Sequence, residues 1–359
     1  MTKTGRRRPT LDDVADAVGV SRATVSNAYN RPDQLSAQLR EQVLRAAKEL
    51  GYPGPNPTAR SLATSRTGAI AFMLDTSLSS AFSDPALTIT LDALAKAVDP
   101  EGHALLLMPG GPLGGPATER ILTAQADIAV AYSLGDGSPA LDAVRDRGLP
   151  LVVIDQPLVP GSARIGCQDR LGASLAARHL LELGHRRFGV FSMQCGLSAP
   201  RGGDLTPEAA LATRFHVTRE RLAGYLDTLT AAGVPPADVA IWEASGISTE
   251  EAMTSAFGLL DRSPRPTALL CMSDQLALAA IAAARQLGVD VPGELSIVGF
   301  DDTPPARWSE PPLTTVRQDL AGKGRIAGEL VLRLLDGGSV PAPAEVPVEL
   351  VLRASTARA

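Results

Sequence analysis

Three side chains near the start of one predicted helix have the types and spacing that can read DNA bases. Ser21 suits the N-cap of this helix. Its inward-facing residues are Val25, Ala28 and Tyr29. This leaves Arg22, Ala23 and Asn27 facing outward, where a recognition helix presents side chains to the major groove. Guanidinium and amide groups form hydrogen bonds with base edges, so the stretch favours DNA binding.

A preceding helix must position this one. Its predicted apolar face consists of Leu11, Val14, Ala15 and Val18. Thr10 suits its N-cap, Asp12 and Asp13 suit its positive end, and Gly19 ends it. Two short capped helices joined at a glycine are typical of a helix-turn-helix, which we favour over an ordinary pair of core helices.

The distribution of charge supports this interpretation. The chain of 359 residues has a net charge of −5, yet residues 1–66 hold eleven Lys or Arg and six Asp or Glu. A basic head on an acidic body is typical of a DNA-binding domain joined to a domain that does not bind DNA. A third helix capped by Ser36 completes a headpiece over 1–53, and 54–66 is predicted as a hinge helix or linker.

No pattern of catalytic or metal-binding residues is apparent in the sequence. The three cysteines (Cys167, Cys195 and Cys271) and the four histidines lack metal-ligand spacing. The Gly-rich run at 110–115 has no following Lys-Ser/Thr, so it is not a P-loop. We expect no enzyme activity, metal or cofactor, and a cytoplasmic protein, because neither a signal peptide nor a membrane-spanning run is seen.

From Ala69 onward, short apolar runs alternate with amphipathic stretches, which predicts parallel sheets with helices on both faces. The first set of runs is Ala69–Leu74, Ala104–Met108, Ile128–Tyr132 and Leu151–Ile154. The second set is Phe188–Ser192, Val239–Trp242, Ala268–Met272 and Ser296–Phe300. Two similar sets predict two lobes within 67–359.

The chain resembles the lactose/galactose-repressor (LacI/GalR) family of bacterial transcription regulators from Thr10 essentially to its end. The motifs that carry the resemblance are VSRATVSNAYN at 20–30, VLRAAKELGY at 43–52, ARSLATSRTGAI at 59–70, LLELGHRRFGVFS at 180–192, RLAGY at 221–225, CMSDQLALAAIAAARQLGV at 271–289, SIVGFDD at 296–302 and PPLTTVRQDLAGKGRIAGELVLRLL at 311–335. The ordered set is specific, although no single motif would be.

The resemblance implies an all-α helix-turn-helix headpiece followed by an α/β, two-lobed, periplasmic-binding-protein-like core. We place the N-lobe at about 67–163 and 319–343, and the C-lobe at about 164–318 and 344–359. It further implies a homodimer that binds a near-palindromic operator, and control of that binding by a small molecule, expected to be a carbohydrate, held between the lobes.

Within the headpiece, the resemblance assigns base reading to Arg22, Ala23 and Asn27. Arginine pairs with guanine, asparagine with adenine, and alanine can touch a thymine methyl group. Family members often carry Arg at the place of Asn27, so we expect the operator to differ there. Residues expected to cap or to contact phosphates are Ser21, Thr24, Ser26 and Asn30. In the hinge, Leu62 falls on the family's minor-groove wedge, beside Ala59 and Arg60.

The effector site is expected at the carboxyl ends of the strands, where open α/β sheets bind ligands. The predicted effector-binding residues are Asp75, Phe82, Tyr132, Ser192, Arg221, Trp242, Asp274, Asp301 and Gln318. Carboxylates that accept from hydroxyl groups, with Phe82 packed on a ring, suit a sugar or sugar derivative. Asp274 is also expected to cap the following helix.

Two departures from the family pattern bear on the ligand. Ser273 stands where an Asn usually precedes the Asp, and Leu78–Phe82 replaces the usual Asn-Pro-Phe-Phe. Residues 193–218 form a longer Gly- and Pro-containing insertion, expected to be a mobile rim loop. The alternative function is a sugar- or nucleoside-binding protein without operator function, which the headpiece disfavours.

Overall fold

The chain divides into two compact units, the first ending at Thr67 and the second running from Gly68 to Ala359. A computed structural model describes residues 9–55, 66–111, 115–196, 202–246 and 248–359. Within these ranges, no helix combines the length and apolar character needed to cross a membrane.

The first unit contains three helices in its described part, α1 (Leu11–Val18), α2 (Arg22–Asn30) and α3 (Ala37–Leu50). Thr10 and Asp13 form a reciprocal capping box at the start of α1, and Gly19 ends the helix in the left-handed conformation, with φ of 71°. The buried residues between the helices are Val14, Ala15, Val25, Ala28, Val43 and Ala47. These small and branched side chains hold α2 at a fixed angle to α1.

The first lobe of the second unit is built on a parallel sheet. Its strands are β1 (Ala69–Leu74), β2 (Ala104–Met108), β3 (Ile128–Tyr132), β4 (Leu151–Ile154), β5 (Ala163–Cys167) and β12 (Ala344–Val346). They lie in the order β12-β5-β4-β3-β1-β2. The associated helices are α4 (Leu78–Ser83), α5 (Pro85–Val98), α6 (Thr118–Thr123), α7 (Pro139–Asp146) and α14 (Leu320–Leu335).

The second lobe is built on a larger, mostly parallel sheet. Its strands are β6 (Phe188–Ser192), β7 (Gly203–Leu205), β8 (Ala240–Glu243), β9 (Ala268–Cys271), β10 (Ser296–Asp301), β11 (Thr314–Gln318) and β13 (Val348–Val351). Their order is β13-β11-β10-β9-β6-β8-β7, with β7 and β13 antiparallel to their neighbours. Its helices are α8 (Asp169–Glu182), α9 (Pro207–Leu211), α10 (His216–Ala231), α11 (Thr249–Leu260), α12 (Asp274–Gln286) and α13 (Pro304–Trp308). The predicted fold class is confirmed.

The predicted lobe boundaries are wrong by a few residues at two places. β5 extends the first sheet to Cys167, beyond the expected limit of 163, and β12 adds residues 344–346 to that sheet rather than to the second lobe. Both segments mix charged, small and apolar residues, so their sequences lack the apolar run of a central strand. β5 is a strand because it pairs with β4, and β12 is a strand because it pairs with β5, rather than because either segment is strongly hydrophobic.

A close helix–helix approach sets the position of the segment that returns from the second lobe to the first. This segment begins with α14, which packs on α5. A Cβ atom placed on Gly324 of α14 would lie 2.2 Å from the carbonyl oxygen of Thr90. Gly224 of α10 is similarly placed in the second lobe, 2.4 Å from the carbonyl oxygen of Arg170 in α8. Each lobe therefore contains a helix contact at which glycine fits and a larger residue would meet backbone.

We expect Gly324→Ala to lower the free energy of unfolding by about 1–3 kcal/mol, because the added methyl group meets backbone that must move. Urea denaturation followed by circular dichroism measures this change. Gly196→Ala is the matched control, since a Cβ atom at Gly196 meets nothing within 4 Å. Equal stability of the two variants would contradict the packing argument.

Candidate effector pocket and DNA-reading helix

The start of α2 presents the predicted base-reading residues to solvent. Arg22 and Ala23 are exposed, and Arg22 Nε lies 3.7 Å from an Asp12 carboxylate oxygen. Asn27 is half-buried, and its Nδ2 donates a hydrogen bond of 3.3 Å to Gln34 Oε1. The orientation of the Asn27 amide is therefore fixed in part by the Gln34 amide.

The residues expected to cap or contact phosphates have different surroundings. Ser21 Oγ accepts from Thr24 N at 3.1 Å and lies 2.9 Å from Thr24 Oγ1, so Ser21 caps α2 and Thr24 lies in its first turn. Ser26 is half-buried. Outside the described part of the chain lie the side chain of Asn30 and the hinge residues Ala59, Arg60 and Leu62.

A cavity of about 160 Å³ lies between the two lobes of the core. Five of the predicted effector residues line it: Asp75, Tyr132, Arg221, Asp301 and Gln318. Most of them end a strand or directly follow one, as expected for ligand sites of open parallel sheets. The size of the cavity suits a small molecule rather than a polymer.

Arg221 forms the floor of the cavity from the second lobe. It is 5% exposed, and its Nε donates to Asp169 Oδ1 at 2.8 Å. Its Nη1 donates to the Met272 carbonyl and lies 3.8 Å from Asp301 Oδ1, while the guanidinium carbon lies 3.6 Å from the centre of the Phe300 ring. Burial lowers the pKa of Arg221, but the Asp169 and Asp301 carboxylates outweigh burial and raise it. The guanidinium is thus always charged.

Asp301 and Gln318 meet at the ends of adjacent strands. Asp301 accepts a hydrogen bond of 2.7 Å from Gln318 Nε2, and its φ of 119° is strained for a residue with a side chain. Burial raises the pKa of Asp301 to about 8, although Arg221 opposes this shift. The Oε1 atom of Gln318 is buried and has no hydrogen-bond partner among the residues that the structure describes. An acceptor left unmatched beside the cavity calls for a donor from a ligand.

The first lobe contributes a second polar group. Lys323 Nζ lies 2.6 Å from Asp155 Oδ1, and both residues line the cavity. Asp84 also lines it, while accepting a hydrogen bond of 2.9 Å from Ala86 N at the start of α5. Burial raises the pKa of Tyr132 well above its usual value, and the nearby Asp84 carboxylate adds to the shift. Asp84 and Asp155 of the first lobe and Asp301 of the second therefore all lie near the Tyr132 hydroxyl group.

Four predicted effector residues are absent from the described lining of this cavity. Phe82 is 59% exposed on α4, and Ser192 is buried, with its Oγ donating to the Met193 carbonyl at 2.8 Å. Trp242 lies against Gly258 of α11. Asp274 is fully buried and accepts from Thr303 N at 2.7 Å and from Thr315 Oγ1 at 2.5 Å. Ser273, rather than Asp274, caps α12.

The insertion at 193–218 supplies pocket residues that the sequence did not reveal. Its described part contains β7 and α9, and contributes Met193, Gln194, Phe215, Val217 and Thr218 to the cavity. Its backbone also reaches the first lobe. The expected rim loop is therefore partly a folded wall of the pocket, and Phe215 provides the aromatic surface expected from Phe82.

Two hydrogen bonds show how this wall contacts the first lobe. Val217 N donates to Gln156 Oε1 at 2.7 Å, and Asp136 N donates to the Arg214 carbonyl at 2.8 Å. On α12, Gln275 Nε2 donates to the Ser83 carbonyl at 2.6 Å. Gln156 and Gln275 also line the cavity, so amides join the lobes around it.

Comparison with known proteins identifies the class to which this arrangement belongs. The family described as bacterial regulatory proteins, lacI family, matches residues 10–56, and a periplasmic binding protein-like domain matches residues 177–356. An HTH-type transcriptional regulator of Mycolicibacterium smegmatis is 42% identical over 332 residues, covering 90% of each chain. The chain therefore belongs to the LacI family, and it is a DNA-binding transcriptional regulator rather than an enzyme. The predicted resemblance is confirmed.

Two solved structures share the whole fold. A complex of the transcriptional regulator CelR with cellobiose has a TM-score of 0.68 at 28% identity, covering 97% of this chain and 100% of that one. The Lac repressor dimer bound to operator and the anti-inducer ONPF has a TM-score of 0.76 at 27% identity, covering 98% and 100%. Both alignments therefore extend over the headpiece and the core of this chain.

We expect Arg221→Ala to lower the free energy of unfolding by about 3–5 kcal/mol, because Asp169 is left as a buried charge without its cation. Chemical denaturation of the full-length protein tests this. Arg219→Ala, two residues away on the same helix but more exposed, is the matched control. If Arg221→Ala were as stable as this control, the guanidinium would not be structural.

Proposed function

We propose that the protein is a homodimeric repressor whose affinity for a near-palindromic operator is controlled by a sugar or sugar derivative bound between its lobes. The observation that carries the proposal is the cavity between the lobes, which is lined by carboxyl, amide and hydroxyl groups of both lobes together with apolar side chains. Polyhydroxylated rings match this mixture, since their hydroxyl groups donate to carboxylates and their C–H faces pack on apolar groups.

Similarity to ligand-bound regulators supports the class of effector. CelR was solved with cellobiose, and the Lac repressor with operator DNA and a small molecule. Here the unmatched Gln318 Oε1 and the Asp301 carboxylate lie where the carboxyl ends of two neighbouring strands meet. A hydroxyl group placed between them would satisfy the buried acceptor.

The proposed control acts through the lobes. A ligand that contacts both lobes favours one relative orientation of them. Operator affinity changes only if the DNA-bound protein also prefers a particular orientation, either the one that the ligand favours or a different one. Gln156 and Gln275, which already join the lobes and line the cavity, are suited to report occupancy. In a dimer, this change alters the separation of the two hinge segments and hence the spacing of the headpieces on their half-sites.

We expect Gln318→Leu to weaken effector binding at least about tenfold, because a hydrogen bond to the ligand is lost and Asp301 loses its donor. A thermal-shift screen of sugars and nucleosides identifies a stabilising compound, whose affinity is then measured by calorimetry. Gln286→Leu on the exposed side of α12 is the control. Unchanged affinity in Gln318→Leu would mean that the ligand does not occupy this cavity.

We expect Arg22→Ala to weaken specific DNA binding by about 1–3 kcal/mol, the usual worth of a good contact between arginine and guanine. Fluorescence anisotropy at fixed salt, with a site selected from random DNA, measures specific and non-specific affinity. Arg45→Ala is the matched control, because it removes the same charge from an exposed part of α3, where Arg45 pairs with Glu41. Equal losses in the two variants, or equal losses on both DNAs, would contradict base reading by Arg22.

A further inference from the structure

Acidic residues outnumber basic residues in the described lining of the effector cavity. The acidic residues among its described lining are Asp75, Asp84, Asp155 and Asp301, and the basic ones are Arg221 and Lys323. Both cations already have carboxylate partners, because Lys323 lies 2.6 Å from Asp155, and Arg221 lies 2.8 Å from Asp169. An anionic group would have to compete with a carboxylate for a buried cation, which is costly when the displaced carboxylate stays buried.

Two of the carboxylates face the cavity from opposite lobes. Asp84 precedes α5 in the first lobe, and Asp301 ends β10 in the second. Burial is the main cause of the raised pKa of Asp301; Arg221 opposes the shift, and the Asp274 and Asp84 carboxylates add to it. A ligand with hydroxyl groups on two sides can hydrogen-bond to both carboxyl groups, whereas a ligand anion would be repelled by a buried carboxylate.

A neighbouring cavity extends the same chemistry. It measures about 150 Å³ and shares Asp75, Thr76 and Gln194 with the effector cavity. The rest of its described lining is Ser80, Ala244, Ser245, Gly246 and Glu251. This lining holds two carboxylates and, among the described residues, neither lysine nor arginine. A charged substituent extending from the first cavity would therefore meet carboxylates here as well.

We propose that the regulator responds to the uncharged form of its polyhydroxylated effector and discriminates against the phosphate ester of the same molecule. Asp84 sets this discrimination from the first lobe, because its carboxylate lines the cavity without a lysine or arginine partner among the described contacts. Discrimination by an unfavourable charge contact requires no extra favourable contact with the correct ligand. The inference rests on the proposed function, since it concerns the effector of the same cavity.

The test compares matched triplets of neutral sugar, sugar phosphate and amino sugar by calorimetry with full-length protein at fixed pH and ionic strength. One triplet is glucose, glucose 6-phosphate and glucosamine, and galactose gives another. Ribose with ribose 5-phosphate and cellobiose with its phosphate extend the panel. In every series that binds, we expect the neutral form to bind at least tenfold tighter than the phosphate, and the amino form to bind no more than threefold weaker than the neutral form.

Asp84→Asn identifies the residue responsible. Asparagine keeps the helix cap while removing the charge, so folding is preserved. We expect this variant to reduce the preference for the neutral form at least threefold. Asp92→Asn is the control, because Asp92 lies on α5, the helix that Asp84 caps, with its side chain 61% exposed and paired with Lys96. A preference unchanged by Asp84→Asn would overturn the role of Asp84.

The outcomes separate this inference from the proposed function. If a sugar phosphate binds as tightly as its neutral sugar, or is the only member of its triplet that binds, the charge discrimination is overturned. The proposal of a sugar-type effector is then still supported. If no member of any triplet binds, the sugar effector is itself wrong and the inference fails with it. Tighter binding of the neutral member that is reduced by Asp84→Asn supports both.

Discussion

The buried guanidinium of Arg221 is the interaction on which the second lobe and the pocket both depend. It joins the first residue of α8, the backbone after β9 and the last residue of β10, three elements that meet at one edge of the sheet. Removing a cation and its partners from water costs free energy that only complete pairing offsets. The same network that holds these elements together leaves Asp301 facing the cavity, so the lobe's packing and its ligand chemistry share one set of contacts.

The strongly apolar strands and the chain order of the two lobes could be predicted, because buried parallel strands are continuous hydrophobic runs. β5 was missed because Arg164 lies within it. This arginine is buried, with its Nε donating to the Asp155 carbonyl at 2.8 Å. Nothing in the local sequence shows that a charged side chain will find such a partner. The short edge strands β7, β12 and β13 depend on pairing with distant segments in the same way.

The residues of the candidate site likewise fall into those that the sequence predicts and those that only tertiary packing brings together. Asp75, Tyr132, Asp301 and Gln318 could be predicted, because they end or follow strands whose carboxyl ends converge. Asp84, Phe215 and Lys323 could not, since a helix start, an insertion and a returning helix bring them to the cavity only through tertiary packing. Phe82 illustrates the opposite error, because an aromatic residue near a strand end was expected inside and lies in solvent. In the headpiece, the hydrogen bond from Asn27 to Gln34 was equally unforeseen, because a residue seven positions along the chain holds the Asn27 amide.

The backbone passes between the two lobes three times, after β5, after β11 and after β12. The second sheet is interposed in the sequence of the first, whose final strand comes at residues 344–346. During synthesis from the N-terminus, the residues of α1 to α3 are made early, so the headpiece can fold early. The sheet of the first lobe is not complete until β12 is made, after nearly all of the second lobe. The exposed edge of β5 is meanwhile free to pair with other chains. Folding of the core is therefore coupled to translation of its last segment, and neither lobe can be exchanged between relatives as one continuous stretch of gene.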